Sequence, residues 1–239
     1  MNLKALNSLT KYPSIPTYHP LGERGRLQPE PILLPDGPLY ATEKIDGTNA
    51  RIIIVDGDFF IGSRENLLYA KGDRIGDPAM GIVDGLILTA TESAIRAGRM
   101  PTVIYGEFFG GRTTSCRIYG ENTSFRVFDI ARFDRAQWDH LLARDPREIS
   151  TWRDAGGQPF LDVNSMECAA DFFGLPIVPV LTVGPPPVSI IGTKAWLEPL
   201  AARSELGTGP AEGVVIRSAD RKFIAKIRTE DYQRATKGA

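Results

Sequence analysis

LYATEKIDGTNARIIIV, residues 39–55, is the stretch on which both fold and chemistry turn. Leu39 to Glu43 predicts a strand, and Ala50 to Val55, rich in β-branched residues, predicts a stronger one. Between them Glu43-Lys44-Ile45-Asp46-Gly47-Thr48-Asn49 stands in a strand–turn–strand context. Asp56-Gly57 follows at once and leads into Asp58-Phe-Phe-Ile-Gly62, a strong hairpin signal.

Outward from this centre, Ile82, Leu86, Ala90 and Ala94 recur at helical spacing between Gly81 and Gly98, with Gly98 as the C-cap. Val103 to Phe108 and Phe125 to Ile130 predict buried strands. Asp134 is placed to N-cap a helix running to about Ala143. The Gly- and Pro-bearing segment 145–159 reads as a loop or insertion, and a further helix is expected after Asn164, ending at Gly174. Ile177 to Val183 is strand-like, and Pro185-Pro-Pro187 forbids its continuation. A helix over Lys194 to Arg203 precedes two closing strands, Gly213–Ser218 and Lys222–Ile227, joined by a turn at Ala219–Arg221. The proline-studded residues 1–38 read as an extended, wrapping segment. The order is mixed α+β with antiparallel hairpins, without the regular βαβ alternation of a doubly wound fold.

Bulk composition adds exclusions. The 239 residues carry 28 basic and 29 acidic side chains, net −1, so no general polyanion binder is indicated, although a local basic groove remains compatible. No uninterrupted apolar run is long enough to span a bilayer, and the first residues lack the pattern of a secretory signal. Cys116 and Cys168 are too few for a disulfide framework, so a reduced, cytoplasmic setting is expected.

A lysine amine is a poor nucleophile while protonated, and attack on a phosphate needs charge neutralised on the phosphoryl oxygens. Lys44 therefore calls for carboxylates to hold metal and further cations from elsewhere in the chain. Lys-x-Asp-Gly alone is equally well an exposed turn with a solvated lysine. The surrounding pattern decides more. EKIDGTN resembles the nucleotidyl-acceptor motif of covalent nucleotidyltransferases, and Glu43, Thr48 and Asn49 are most similar to the nick-sealing RNA ligase 2 family, which includes the RNA-editing ligases. Gly62-Ser63-Arg64, Ile104-Tyr105-Gly106-Glu107-Phe108, Phe125-Arg126-Val127-Phe128-Asp129-Ile130, Glu212-Gly213-Val214-Val215-Ile216-Arg217 and Lys226-Ile227-Arg228 resemble the family's remaining motifs, in order. Lys11 to Tyr18, KYPSIPTY, is similar to its N-terminal segment.

The resemblance implies a nucleotidyltransferase (ATP-grasp-like) fold of two antiparallel sheets with flanking helices and ATP between the sheets. It implies an ATP-dependent RNA ligase in which Lys44 takes AMP covalently, passes it to a 5′-phosphate and joins that end to a 3′-OH. Lys226 and Arg228 would hold the α-phosphate. Glu212, helped by Asp46, would organise Mg²⁺ or Mn²⁺. Asn49, Arg64 and Glu107 would fix ribose and phosphate, Phe128 would stack on adenine, and Glu43 with the Ile45 backbone would read the base edge. Each residue also has an ordinary reading: Glu107 at a strand edge, Arg64 solvated, Glu212 starting a strand, Phe128 or Phe125 as core. Lys226 and Arg228 lie two apart on one strand face, which argues for an anion between them.

Two departures stand out. The family's closing Lys-x-Lys is Lys226-x-Arg228 here, which keeps charge but removes a proton donor. Eleven residues, Thr229 to Ala239, follow Arg228, too few for the OB-fold or helical domain found there in relatives. The expectation is thus a single nucleotidyltransferase domain over 1–239, acting on a nicked RNA duplex or RNA-containing hybrid, with a protein partner in place of the missing domain. A DNA ligase, a GTP-using capping-type enzyme and a non-catalytic nucleotide- or RNA-binding module are the alternatives.

Overall fold

The computed structural model describes residues 1–70, 72–76, 80–113 and 115–236. In chain order these form α1 (Leu3–Thr10), β1 (Leu39–Lys44), β2 (Thr48–Val55), β3 (Asp58–Ser63), β4 (Leu67–Ala70), β5 (Asp73–Arg74) and α2 (Ile82–Ala97). Next come β6 (Thr102–Phe109), α3 (Cys116–Tyr119), β7 (Ser124–Arg132), α4 (Arg135–Leu142), α5 (Pro146–Asp154) and α6 (Val163–Phe173). The chain closes with β8 (Val180–Val183), α7 (Ile190–Ala201), β9 (Gly213–Ser218), β10 (Ile224–Arg228) and α8 (Thr229–Thr236). Two antiparallel sheets with flanking helices result, the α+β class expected. No described helix is long and apolar enough to cross a membrane.

The chain divides into two compact units. The first comprises Met1–Ser14, Gly47–Cys116 and Glu121–Ile177; the second comprises Ile15–Asp46, Arg117–Gly120 and Val178–Ala239, of which 237–239 lie outside the described residues. The boundary falls inside EKIDGTN, so β1 and β2 are not partners in a hairpin. β1 pairs with β8 and β9, whereas β2 pairs with β3 and β6.

The first unit is built on a six-stranded sheet, β5-β4-β3-β2-β6-β7. Its central strand β2 is apolar at consecutive positions because both faces are covered. Ala50, Ile52 and Ile54 join Ile104, Phe108 and the buried residues of α2 and α6 on one face. Ile53 and Val55 join Val103, Tyr105, Leu6, Leu9 and Trp138 on the other. Asp56 and Gly57 both adopt positive φ in the β2–β3 hairpin, as the Asp-Gly signal predicts. α2 ends on Gly98 in the expected way, and Asp134 caps α4 by accepting from the Ala136 and Gln137 amides.

Three local expectations are corrected here. Residues 3–10 are helical, not extended, because Asn2 caps them through the Lys4 and Ala5 amides and Leu6 and Leu9 are buried. Residues 145–159, expected as a loop, contain α5: Asp145 caps it, Pro146 occupies its first turn where prolines are tolerated, and Gly156 and Gly157 fall beyond its end. α6 begins at Val163, under the Asp162 cap.

The second unit carries a four-stranded sheet, β10-β9-β1-β8. Ala41, Val214, Ile216, Ala225 and Ile227 project from one face into a core shared with Tyr18, Leu197, Ala201 and Tyr232. β8 spans only Val180–Val183 of the strand-like run expected over 177–183, and stops before the three prolines. α7 starts at Ile190, four residues before the Lys194 start expected, because the Ser189 hydroxyl accepts from the Gly192 amide. The edge of β10 is covered by Pro16–Tyr18, the Lys226 amide donating to Pro16 O and the Tyr18 amide to Lys226 O. This part of the N-terminal segment is extended as expected.

His19 ties this unit together from full burial. Its Nε2 lies 2.8 Å from Val188 O, which can only accept, so Nε2 carries the proton; Nδ1, 2.6 Å from the Tyr232 hydroxyl, then accepts. Burial lowers the His19 pKa, with the Val188 bond opposing. The unfolded chain therefore takes up the proton first as pH falls. The neutral ring's contribution is complete above about pH 6.5 and is lost as pH falls through the lowered folded value. Thermal melts between pH 7 and 5 are expected to decline more steeply for the native chain than for His19→Gln; parallel slopes would contradict this account.

Candidate active site

Antiparallel register sets out the polar face of the four-stranded sheet. Lys44 lies opposite Gly213, and Gly213 opposite Arg228; Thr42, Val215 and Lys226 form the adjacent row. Residues paired in this way share a face, so Lys44, Lys226 and Arg228 all project away from the apolar core of the unit. Gly213 allows the close approach: at φ 156° a side chain would be strained, and a Cβ would stand 2.1 Å from Ile227 O.

The Lys44 ammonium forms an ion pair with the Glu212 carboxylate, each side chain about a quarter exposed at 23% and 26%. Backbone bonds hold Glu212 in place: its amide donates to Lys44 O at 3.2 Å, and its carbonyl accepts from the Thr229 amide at 3.0 Å. Arg228 is also partnered. Its Nε and Nη2 reach the two oxygens of Asp231 at 2.9 and 3.1 Å, and Nη1 lies 3.0 Å from Glu230. Asp231 is fully buried on α8 and also takes Arg234 at 2.6 Å. α8 thus supplies a carboxylate to Arg228 from within the chain. The planar guanidinium fork suits that two-oxygen grip where a lysine would not.

Glu43 alternates to the face opposite Lys44 and is buried, at 2% exposure. Its carboxylate accepts from the Ser204 hydroxyl at 2.5 Å and the Glu205 amide at 2.9 Å. Ile45 is buried, and the Asp46 amide donates to the Tyr119 hydroxyl at 3.1 Å. Tyr119 and Ser204 were not legible as site residues, lying 73 and 161 positions from their partners with no motif around them.

The remaining candidates belong to the first unit. Asn49 pairs with Glu107, and Glu107 with Arg126, in one row across β2, β6 and β7. Asn49 Oδ1 and Arg126 Nε are buried with no hydrogen-bond partner among the described residues, so this row keeps unused polar capacity. One row along, Arg51 is fully buried, donates to Asn7 Oδ1 and Arg64 O, and has its pKa lowered to about 10 by burial. Arg64 is half exposed, donates to Ser14 Oγ at 3.0 Å, and with Lys11, Tyr12, Glu65 and Arg153 lines a cleft of about 340 Å³.

At a β-bulge in β7 the two phenylalanines lie on opposite faces of the sheet. Tyr105 pairs with Asp129 but Gly106 with Val127, so Phe128 is the extra residue. Both Phe128 and Asp129 consequently meet Tyr12, the first ring to ring at 4.9 Å, the second by accepting its hydroxyl at 2.5 Å. Phe125 instead packs in the core under α2 and α6. Phe128 is the partly exposed aromatic, on the same face as Asn49 and Glu107.

Among the described residues, no group of three or more His, Cys, Asp or Glu gathers as a metal cluster. Glu212 offers one partly exposed, hard oxygen donor, which fits a Mg²⁺- or Mn²⁺-like ion that keeps most of its water.

The RNA ligase family model matches residues 37–228. No curated protein matches the chain. Among solved structures, the chain is similar to a Glu-to-Ala mutant of Naegleria gruberi RNA ligase with ATP and Mn, at TM-score 0.61 and 16% identity, covering 96% of this chain and 63% of that one. A Lys-to-Met mutant of the same ligase with AMP and Mn matches at TM-score 0.58 and 15% identity, covering 95% and 64%. The same ligase with PPi matches at TM-score 0.55 and 15% identity, covering 84% and 52%. The chain thus spans roughly half to two-thirds of the length of these structures, and at such identities the likeness is one of fold.

Gly47, at the unit boundary, has no positive φ. It is required by space: a Cβ there would stand 2.6 Å from Phe108 O and 3.0 Å from Glu107 Cγ. Gly47→Ala is expected to push β2 from β6 and lower stability by about 1–3 kcal/mol, measured by denaturant melts. A midpoint equal to the native one would contradict the close approach.

Proposed function

This chain belongs to the RNA ligase family, and from that premise we propose that it is an ATP-dependent RNA ligase working through a lysyl-AMP intermediate on Lys44. The observation that carries the reading is the polar sheet face on which Lys44 is paired to Glu212 with Lys226 and Arg228 aligned beside it. The deprotonated Lys44 Nζ attacks the α-phosphorus of ATP. An N–P bond forms, the bond to the bridging oxygen of the β-phosphate breaks, pyrophosphate departs and the amine proton leaves to solvent. A 5′-phosphate oxygen then attacks the same phosphorus and releases Lys44. Finally a 3′-OH attacks the activated 5′-phosphate, expels AMP and closes the strand.

Lys226 and Arg228 offset negative charge on the α-phosphate, Arg228 being steadied for this by Asp231. Glu212 serves twice: it holds the Lys44 amine in the resting chain and, with Asp46 two residues after Lys44, would provide the carboxylate for a divalent ion. Bound there, Mg²⁺ or Mn²⁺ supplies charge neutralisation at the phosphoryl oxygens. Release of Glu212 from Lys44 leaves the amine free to approach the phosphorus. The resemblance assigns Asn49, Arg64 and Glu107 to ribose and phosphate and Phe128 to adenine. It gives the base edge to the Ile45 backbone and Glu43; Glu43 would have to exchange Ser204 or Glu205 to reach a base.

The test is sealing of singly nicked duplexes bearing a 5′-phosphate, with all-RNA, mixed and all-DNA strands and with ATP or GTP. ATP-dependent joining of an RNA-containing nick is expected, absent in Lys44→Ala and reduced on the order of a hundredfold or more in Glu212→Gln. Joining with GTP alone, or of all-DNA nicks alone, would shift the assignment to a capping-type enzyme or DNA ligase. Nucleotide or RNA binding without any joining would make the chain a binding module.

A further inference from the structure

The β1–β9 ladder ends at Lys44, yet the chain beyond it is held. The Asp46 amide, two residues past the lysine, donates to the Tyr119 hydroxyl at 3.1 Å. Tyr119 belongs to Arg117–Gly120, four residues that lie in the second unit although the chain on either side belongs to the first. That short segment is seated on the loop before β9. The Thr208 amide donates to Ile118 O at 2.9 Å, and a Cβ on Gly207 would stand 2.6 Å from Ile118 O and 3.0 Å from Tyr119 Cδ1. The same loop is bound to the residue on the other side of Lys44. Ser204 Oγ and the Glu205 amide both donate to the Glu43 carboxylate, and the Ser204 amide donates to Gly209 O at 2.8 Å.

Lys44 is therefore bracketed. Glu43 before it and Asp46 after it are both tied to one assembly made of loop 204–209 and Tyr119. The Tyr119 hydroxyl accepts the Asp46 N–H on its oxygen and keeps its own O–H to donate. A nucleophile whose backbone is fixed on both sides searches only its own side-chain torsions for the line of attack, and small displacements from such a line cost rate steeply.

We propose that Tyr119 is a positioning residue for the Lys44 nucleophile, its hydroxyl holding the Ile45–Asp46 peptide so that the amine is aimed at the phosphorus. This rests on the ligase reading above. Tyr119 itself is assigned no contact with the nucleotide, so its loss acts first on the rate of AMP transfer and on ATP affinity only to the small extent that the Ile45 backbone shifts.

Single-turnover AMP labelling of native chain, Tyr119→Phe and Tyr119→Ala over a range of ATP tests this, alongside amide exchange at Asp46 by NMR. Tyr119→Phe keeps the ring and its packing, and Tyr119→Ala removes both. For Tyr119→Phe the expected result is a maximal rate lower by about ten- to a hundredfold, half-saturating ATP within about twofold, an unchanged melting temperature and faster exchange at Asp46. An unchanged maximal rate would overturn the proposal, as would a loss confined to ATP affinity or one tracking a lowered melting temperature. If the native chain takes no AMP, the ligase reading fails and the positioning role falls with it. Asp46 exchange then still reports whether the hydroxyl holds this peptide.

Discussion

The ion pair between Lys44 and Glu212 is the interaction around which the rest of the second unit is organised. Neither partner could be there without the ladder. Lys44 ends β1, Glu212 immediately precedes β9, and the backbone bond from Glu212 to Lys44 O ties the two strand ends together. A lysine and a carboxylate about a quarter exposed gain more from each other than a solvated surface pair would, and less than a buried one, because water still reaches both. A pair of intermediate strength suits the role proposed for Lys44, a nucleophile held at rest and released when a stronger competitor for the carboxylate arrives.

Around that pair, charge is balanced locally in a way that bulk composition conceals. A chain of net −1 concentrates Lys44, Lys226 and Arg228 on one sheet face, and Asp231 compensates from α8. Arg228 is bound on both oxygens of Asp231, so its guanidinium is held in one orientation. The planar fork of Arg228 matches the two oxygens of Asp231, a grip that the single ammonium of a lysine would not reproduce.

Much of this was legible in the sequence, and the failures have physical causes. Strands with strong β-branched character, the Asp56-Gly57 hairpin, the Gly98 stop of α2 and the Asp134 cap depend on local chemistry and emerged as expected. α1 and α5 did not, because prolines elsewhere in residues 1–38 and 145–159 outweighed a cap residue and a few buried apolar side chains. The sequence offers a turn for the Asp46-Gly47 pair, whereas Gly47 is there for space beside Phe108. The position of Phe128 depended on a bulge, which alternation along a strand cannot reveal. Glu43 and Asp46 were visible as motif residues while their partners Ser204 and Tyr119 were not, since those bonds are products of the fold.

The central claim is that Lys44 is the covalent acceptor of AMP. Intact mass of the native chain after incubation with ATP and Mg²⁺ or Mn²⁺, followed by peptide mapping of any adduct, tests it most directly. The account predicts a gain of one AMP, localised to the peptide bearing Lys44 and reversed by added pyrophosphate. An AMP carried on any other residue, or none while ATP is bound, would contradict it.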